Sequence, residues 1–147
     1  MSVLAKIQPF EVTKRTVSLE LPGIGSQLDD LRCLEDGWYG HDGQEGTAFR
    51  DLDLDWLAAT WKRLQPSNIR FPYVYPTPSG QVRMEWTFDQ YEIVLEIDIK
   101  EHRGRWYCMD MGESSDTNDE ERELDLDQPR EWNWVFRRIA DVQRQQI

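Results

Sequence analysis

Long apolar runs are missing from this chain: no stretch of its hydrophobic residues exceeds four. A membrane-spanning helix takes about twenty, and a secretory leader takes an apolar core of about seven to fifteen behind a basic start. Met1–Phe10 offers neither, so a cytoplasmic chain without a membrane partner is expected. Cysteine is nearly absent. Cys33 lies in an amphipathic helical pattern and Cys108 in a strand pattern. Thiols so placed read as buried, reduced hydrophobes, and two of them make no zinc signature. Basic residues are scarce too: 17 Lys and Arg face 28 Asp and Glu, a net charge of −11. With a pI near 4.6, the chain lacks the cations that contact phosphates. That argues against direct nucleic-acid binding and anionic membranes, and it favours a basic protein partner.

Aromatic residues, by contrast, are plentiful, at 12% with seven Trp. Disordered chains are poor in aromatics, so the 147 residues are read as a single domain, 1–147. A chain of this length buries roughly two-thirds of the surface it exposes when unfolded. Val17, Leu19 and Leu21 alternate with Ser18 and Glu20, which predicts a strand over Glu11–Leu21 closed by Pro22-Gly23. A helix follows, with Ser26 as N-cap, Leu28, Leu31 and Leu34 on one side, and Gly37 at its end. The loop from Gly37 to Thr47 holds Gly37, Gly40, Gly43 and Gly46, too many for regular structure. A second helix is expected over about Asp51–Leu64, its stripes formed by Phe49, Leu52, Trp56 and Ala59 and by Leu57, Trp61 and Leu64.

Phe71–Tyr75, Gln81–Phe88, Tyr91–Ile99 and Arg105–Met111 then read as a meander. Val82, Met84, Trp86 and Phe88 alternate with Arg83, Glu85 and Thr87, and the next strand repeats the pattern. Strict period-two alternation marks antiparallel strands packed on one face and wet on the other. A last helix over about Arg130–Gln146 carries Trp132, Val135, Phe136, Ile139 and Val142 at helical spacing. The expected fold is α+β: an antiparallel meander of four or five strands with two or three helices packed on one face.

No catalytic motif, cofactor motif or metal site stands out. Asp51, Asp53 and Asp55 begin like a calcium loop, but Trp56 replaces the turn glycine and Lys62 the closing Glu, so they read as acids at a helix start. Asp116, Asn118 and Glu120 fit that template little better, with Glu121 at the glycine position. His41, beside Asp42 and Glu45, and His102, beside Glu101, are the only histidines. Neither has a nucleophile or second ligand at motif spacing, and both read as solvated loop residues. A small enzyme using the His41 loop is the weakest reading on these grounds.

The feature with most chemical content is the segment Glu113–Asp127. It holds eight acids and one base, Arg122, and so supplies −7 of the −11. Carboxylates buried without partners cost several kcal/mol each. The segment is therefore expected as an acidic linker at about 113–128, in water or against a basic partner. Asp119, Glu120, Glu121, Glu123, Asp125 and Asp127 are the expected partner-binding residues. Trp132 and Trp134 lie roughly 200° apart around a helix, so either one of them is an exposed apolar anchor, or the helix is clasped between the sheet and the acidic segment and both are buried.

Leu31, Leu34, Gly37, Trp38 and Gly40, then Pro76, Pro78, Gly80, Glu85 and Trp86, form a spaced pattern. In it the chain resembles a set of short, uncharacterised bacterial and phage-borne proteins, which often have Asp where Tyr39 stands here. The resemblance spans about half the chain and implies a mobile-element origin, with no activity or site residues to carry over. Charge and resemblance together suggest a non-enzymatic inhibitor that neutralises a basic, nucleic-acid-handling partner in the anti-CRISPR or anti-restriction manner, including nucleic-acid mimicry. An antitoxin or immunity protein for one toxin uses the same chemistry. Nothing in the sequence sets the oligomeric state.

Overall fold

A computed structural model describes residues 23–40, 45–112 and 119–145. The strand expected over Glu11–Leu21 lies outside these residues. Helix α1 spans Ile24–Arg32 and begins after Gly23, not Ser26, with the Gln27 N–H reaching the Gly23 carbonyl at 3.2 Å. Helix α2 spans Asp51–Leu64, and helix α3 spans Pro129–Arg144 with its proline in the first turn, where a missing N–H costs nothing. Five strands, β1 (Tyr73–Pro76), β2 (Val82–Phe88), β3 (Tyr91–Asp98), β4 (Arg103–Asp110) and β5 (Glu120–Asp125), form one antiparallel sheet in chain order. The fold is α+β, as expected.

Strand register assigns every side chain to a face. Met84 lies opposite Leu95, which lies opposite Trp106, which lies opposite Arg122. This face carries Val82, Trp86, Phe88, Ile93, Ile97 and Cys108, all buried. Helices α2 and α3 cover it: Trp61 stacks on Trp86 at 6.4 Å, and Trp134 meets Trp106 edge-on at 5.3 Å. Helix α3 buries the stripe its spacing predicts, Trp132, Val135, Phe136, Ile139 and Val142. Helix α2 does not. Its buried residues are Asp53, Leu54, Leu57, Thr60 and Trp61, while Leu52 is 75% exposed. Phe49 precedes the helix, so it cannot continue a helical stripe through Leu52. Asp53 is buried because Arg50 pairs with it at 3.0 Å.

One side-chain amide finishes the sheet at its β1 end. Gln27 on α1 donates to the Pro72 carbonyl and accepts from the Val74 N–H, both at 2.8 Å. It thereby satisfies outward backbone groups that a further strand would otherwise take. Pro76 falls at an outward position of the same strand, where a missing N–H breaks no ladder bond.

The glycine-rich loop is tightly closed. The Gly37 N–H reaches the Gly46 carbonyl at 2.8 Å, and the Trp38 indole N–H donates to the Thr47 carbonyl at 3.1 Å. Gly46 has φ +103, and a Cβ there would lie 2.8 Å from the Tyr39 backbone nitrogen and 2.9 Å from the Trp38 ring. Gly46→Ala therefore adds a clash to a left-handed strain of about 1–3 kcal/mol. Thermal unfolding should show a fall of several degrees, with Trp38 in a changed environment.

Candidate partner-binding surface

Residues 120–125 are not linker. They form β5, and the strand's period of two divides the acidic segment between opposite faces. Glu120, Arg122, Leu124 and Leu126 turn toward the helices, and both leucines are 1% exposed. Asp119, Glu121, Glu123, Asp125 and Asp127 take the other parity. The local signal was present in the sequence, since Arg122, Leu124 and Leu126 alternate with acids. Charge density hid it.

The inward residues serve the fold. One Glu120 oxygen accepts from the Trp106 indole at 2.9 Å and from Arg138 at 3.1 Å. Arg122, the segment's only base, pairs with Glu131 on α3 at 2.8 Å and lies over the Trp134 ring at 4.3 Å. A cation above an indole and beside a carboxylate is well placed in both respects. Trp132 is fully buried; its indole N–H donates to the Leu126 carbonyl at 2.9 Å, and its ring stacks on Phe136 at 5.9 Å. Trp134 is half-buried between Trp106 and Arg122. The exposed-anchor expectation thus fails for Trp132, which no partner can reach in the folded chain. Glu120 and Trp134 are likewise held by internal contacts.

The outward residues are differently placed. Glu121 is exposed and makes no ion pair with any described residue. Glu123 reaches Arg105 at 3.5 Å, a loose surface pair worth at most about 1 kcal/mol. Asp119 accepts the Asp110 N–H at 3.2 Å, and Asp125 accepts the Asp127 N–H at 3.1 Å. Asp127 meets His102 at 2.7 Å, while the His102 ring lies flat on Trp56 at 3.7 Å. His102 is therefore half-buried and clamps the β3–β4 turn to α2, contrary to the solvated reading. Sequence could not show this, because Trp56, His102 and Asp127 are far apart along the chain.

The acidity continues over the rest of this face. Glu85, Glu92, Glu96, Asp98, Glu121, Glu123 and Asp125 share it with Arg83, Arg103 and Arg105. Within the described strands, seven carboxylates against three guanidinia leave a net of four negative charges on the face turned away from α2 and α3. Tyr75 donates to Glu85 across this face; burial, and then that hydrogen bond, push its phenol well above the ordinary value.

The thiols differ from each other. Cys33 follows α1 and is exposed, correcting the buried expectation, whereas Cys108 is 2% exposed. Burial is the main cause of the upward shift of the Cys108 thiol. A raised acid pKa means that the folded state holds its proton more firmly than the unfolded chain. This contribution to stability is intact below the unfolded thiol's pKa of about 8.5 and is lost as pH rises through the folded value. Two outcomes are expected: in native protein only Cys33 reacts promptly with an alkylating agent, and unfolding midpoints fall above about pH 8.5. Thiol counting by mass spectrometry checks the first, and a pH series of melts the second. Equal labelling of both thiols would contradict the burial.

His41 and Asp42, like Asp116 and Asn118, lie outside the described residues. Glu45 is exposed, and its carbonyl accepts the Tyr39 and Gly40 N–H groups. Among the described residues no group of three or more His, Cys, Asp or Glu side chains is placed to hold a metal ion, and no helix is long and apolar enough to cross a membrane. No family model, curated protein or solved structure matches the chain.

Proposed function

We propose that this chain is a non-enzymatic binding protein that neutralises a basic, nucleic-acid-handling partner by laying a row of carboxylates across its phosphate-binding groove. The observation that carries the reading is the set Glu121, Glu123 and Asp125 on the face of β5 turned away from α2 and α3, with Asp119 and Asp127 flanking the strand. Alternate strand residues lie roughly 6.6–6.8 Å apart, a spacing comparable to that of successive phosphates on an extended nucleic-acid strand. Arg103 and Arg105 offset only part of this charge. The residues of the same segment that could cancel or hide it, Arg122 and the two leucines, are turned the other way. The resemblance of Leu31–Trp86 to mobile-element proteins supports an inhibitor of host defence, of anti-CRISPR or anti-restriction type, acting in the cytoplasm.

Steering by such a surface raises association rates by about 10–1,000-fold at low salt and makes binding salt-sensitive. The chain, immobilised, is exposed to host lysate; what elutes at high salt is identified, purified and returned to it in the presence of double-stranded DNA. A partner of high Lys and Arg content, displaced competitively by the duplex, is the expected outcome. A captured partner that DNA does not displace counts against groove occupation; if it is a toxin with a neighbouring gene, it points to the immunity reading.

A further inference from the structure

We propose that β5 is also a docking edge, at which an extended partner segment with Lys or Arg at alternate positions adds as a further strand. This rests on the binding reading above and names the form the partner takes.

The backbone supplies the first argument. The Leu126 N–H runs to the His102 carbonyl at 2.8 Å, on the β4 side, whereas the Asp125 N–H points the other way and meets the Glu131 carboxylate at 3.3 Å. Alternation along a strand then sends the N–H and C=O groups of Glu121 and Glu123 outward with those of Asp125. β5 ends the sheet order, and among the described residues no strand or side chain meets the outward groups of Glu121 and Glu123. At the other end of the sheet, Gln27 occupies the outward groups of Pro72 and Val74. Among the described residues the two edges are thus treated differently: one is filled by a side-chain amide, and the other is left open at its centre.

Charge supplies the second argument. An open edge is a template for copies of itself unless something repels them. A second copy paired on β5 brings Glu121, Glu123 and Asp125 against the same acids, and like charges directly opposite are destabilising. A basic strand in that position instead sets each Lys or Arg within a cross-strand pair distance of a carboxylate. The edge therefore rejects its own kind and accepts the opposite charge, which is discrimination by repulsion as well as attraction. Backbone pairing supplies affinity, and alternate side chains supply selectivity, as in other strand-addition complexes.

The probe is a short synthetic peptide alternating lysine with threonine and valine. Its control has the same composition with the lysines consecutive. Amide hydrogen exchange is read at Glu121 and Glu123 with and without peptide, and affinities are measured for wild type, Glu123→Gln and Glu123→Pro. The two substitutions remove the same charge, but only Pro removes the outward N–H, at a position where an edge strand tolerates it. The alternating peptide is expected to slow exchange at both amides by about tenfold or more, and Glu123→Pro is expected to lose at least about threefold more affinity than Glu123→Gln. Binding without slowed exchange, or equal losses in the two variants, overturns strand addition and leaves the acidic-surface reading standing. No binding of either peptide at low salt overturns both.

Discussion

Trp132→Ala is expected to lower stability by about 3–5 kcal/mol, at the top of the range for a single core substitution. The indole is fully buried, stacks on Phe136, meets Trp61 edge-on at 6.4 Å and donates to the Leu126 carbonyl. Ala leaves a cavity among rigid rings and an unpaired carbonyl just after β5. For a chain of this size the loss corresponds to a Tm fall of roughly 8–16 °C. It is also a large part of a typical total stability of about 5–15 kcal/mol. Trp134→Ala removes a half-buried ring held by Trp106 and Arg122, so its cost is smaller. Thermal and urea melts of the two variants compare them directly; a Trp134 variant less stable than the Trp132 variant contradicts this account of the core.

Reversing Asp119, Glu121, Glu123 and Asp125 to Lys together is expected to weaken binding of a basic partner by about 100-fold or more at low salt, because each pair changes from attractive to repulsive. Glu121 and Glu123 face solvent, so their reversal should cost the fold about 1 kcal/mol or less. Asp119 and Asp125 accept the Asp110 and Asp127 N–H groups, and losing those bonds adds about 0.5–1.5 kcal/mol each. Glu120→Lys has the opposite profile. It sets a cation beside Arg138 and removes the acceptor of the Trp106 indole, so it should destabilise the fold. Circular dichroism, melts and titration calorimetry separate the two classes.

Much of the architecture was legible in local pattern. The β2 and β3 alternation, the hairpins and the α3 stripe each rest on near neighbours in sequence, and the structure reproduces them within two residues. What local pattern could not give was which neighbour each element meets. Trp56 and His102 stack because α2 crosses the end of the sheet, a contact no spacing encodes. Of the two α2 stripes, the one through Phe49 and Leu52 fails because Phe49 precedes a helix that starts at Asp51, while the one through Leu57 and Trp61 is buried. β5 is obscured in the sequence for a different reason. Its alternation was visible in Leu124 and Leu126, but eight acids in fifteen residues argue for solvent unless the strand faces are considered separately. That separation reduces six expected acidic contacts to five outward ones and reassigns Glu120 to the core-facing side. The carboxylates left on the open face form a straighter and less neutralised row than a linker would hold.

On the proposed function, this outward row, and not total charge, sets the affinity for the partner. The most direct measurement is the salt dependence of affinity for the captured basic partner, compared between wild type and a variant with Glu121, Glu123 and Asp125 changed to Gln. A second variant serves as control: it loses three acids elsewhere, with Asp30, Glu35 and Glu101 changed to their amides. The account predicts a steep fall of wild-type affinity with salt, a shallow one for the β5 variant and an unchanged slope for the control. Equal slopes for the β5 and control variants would contradict it.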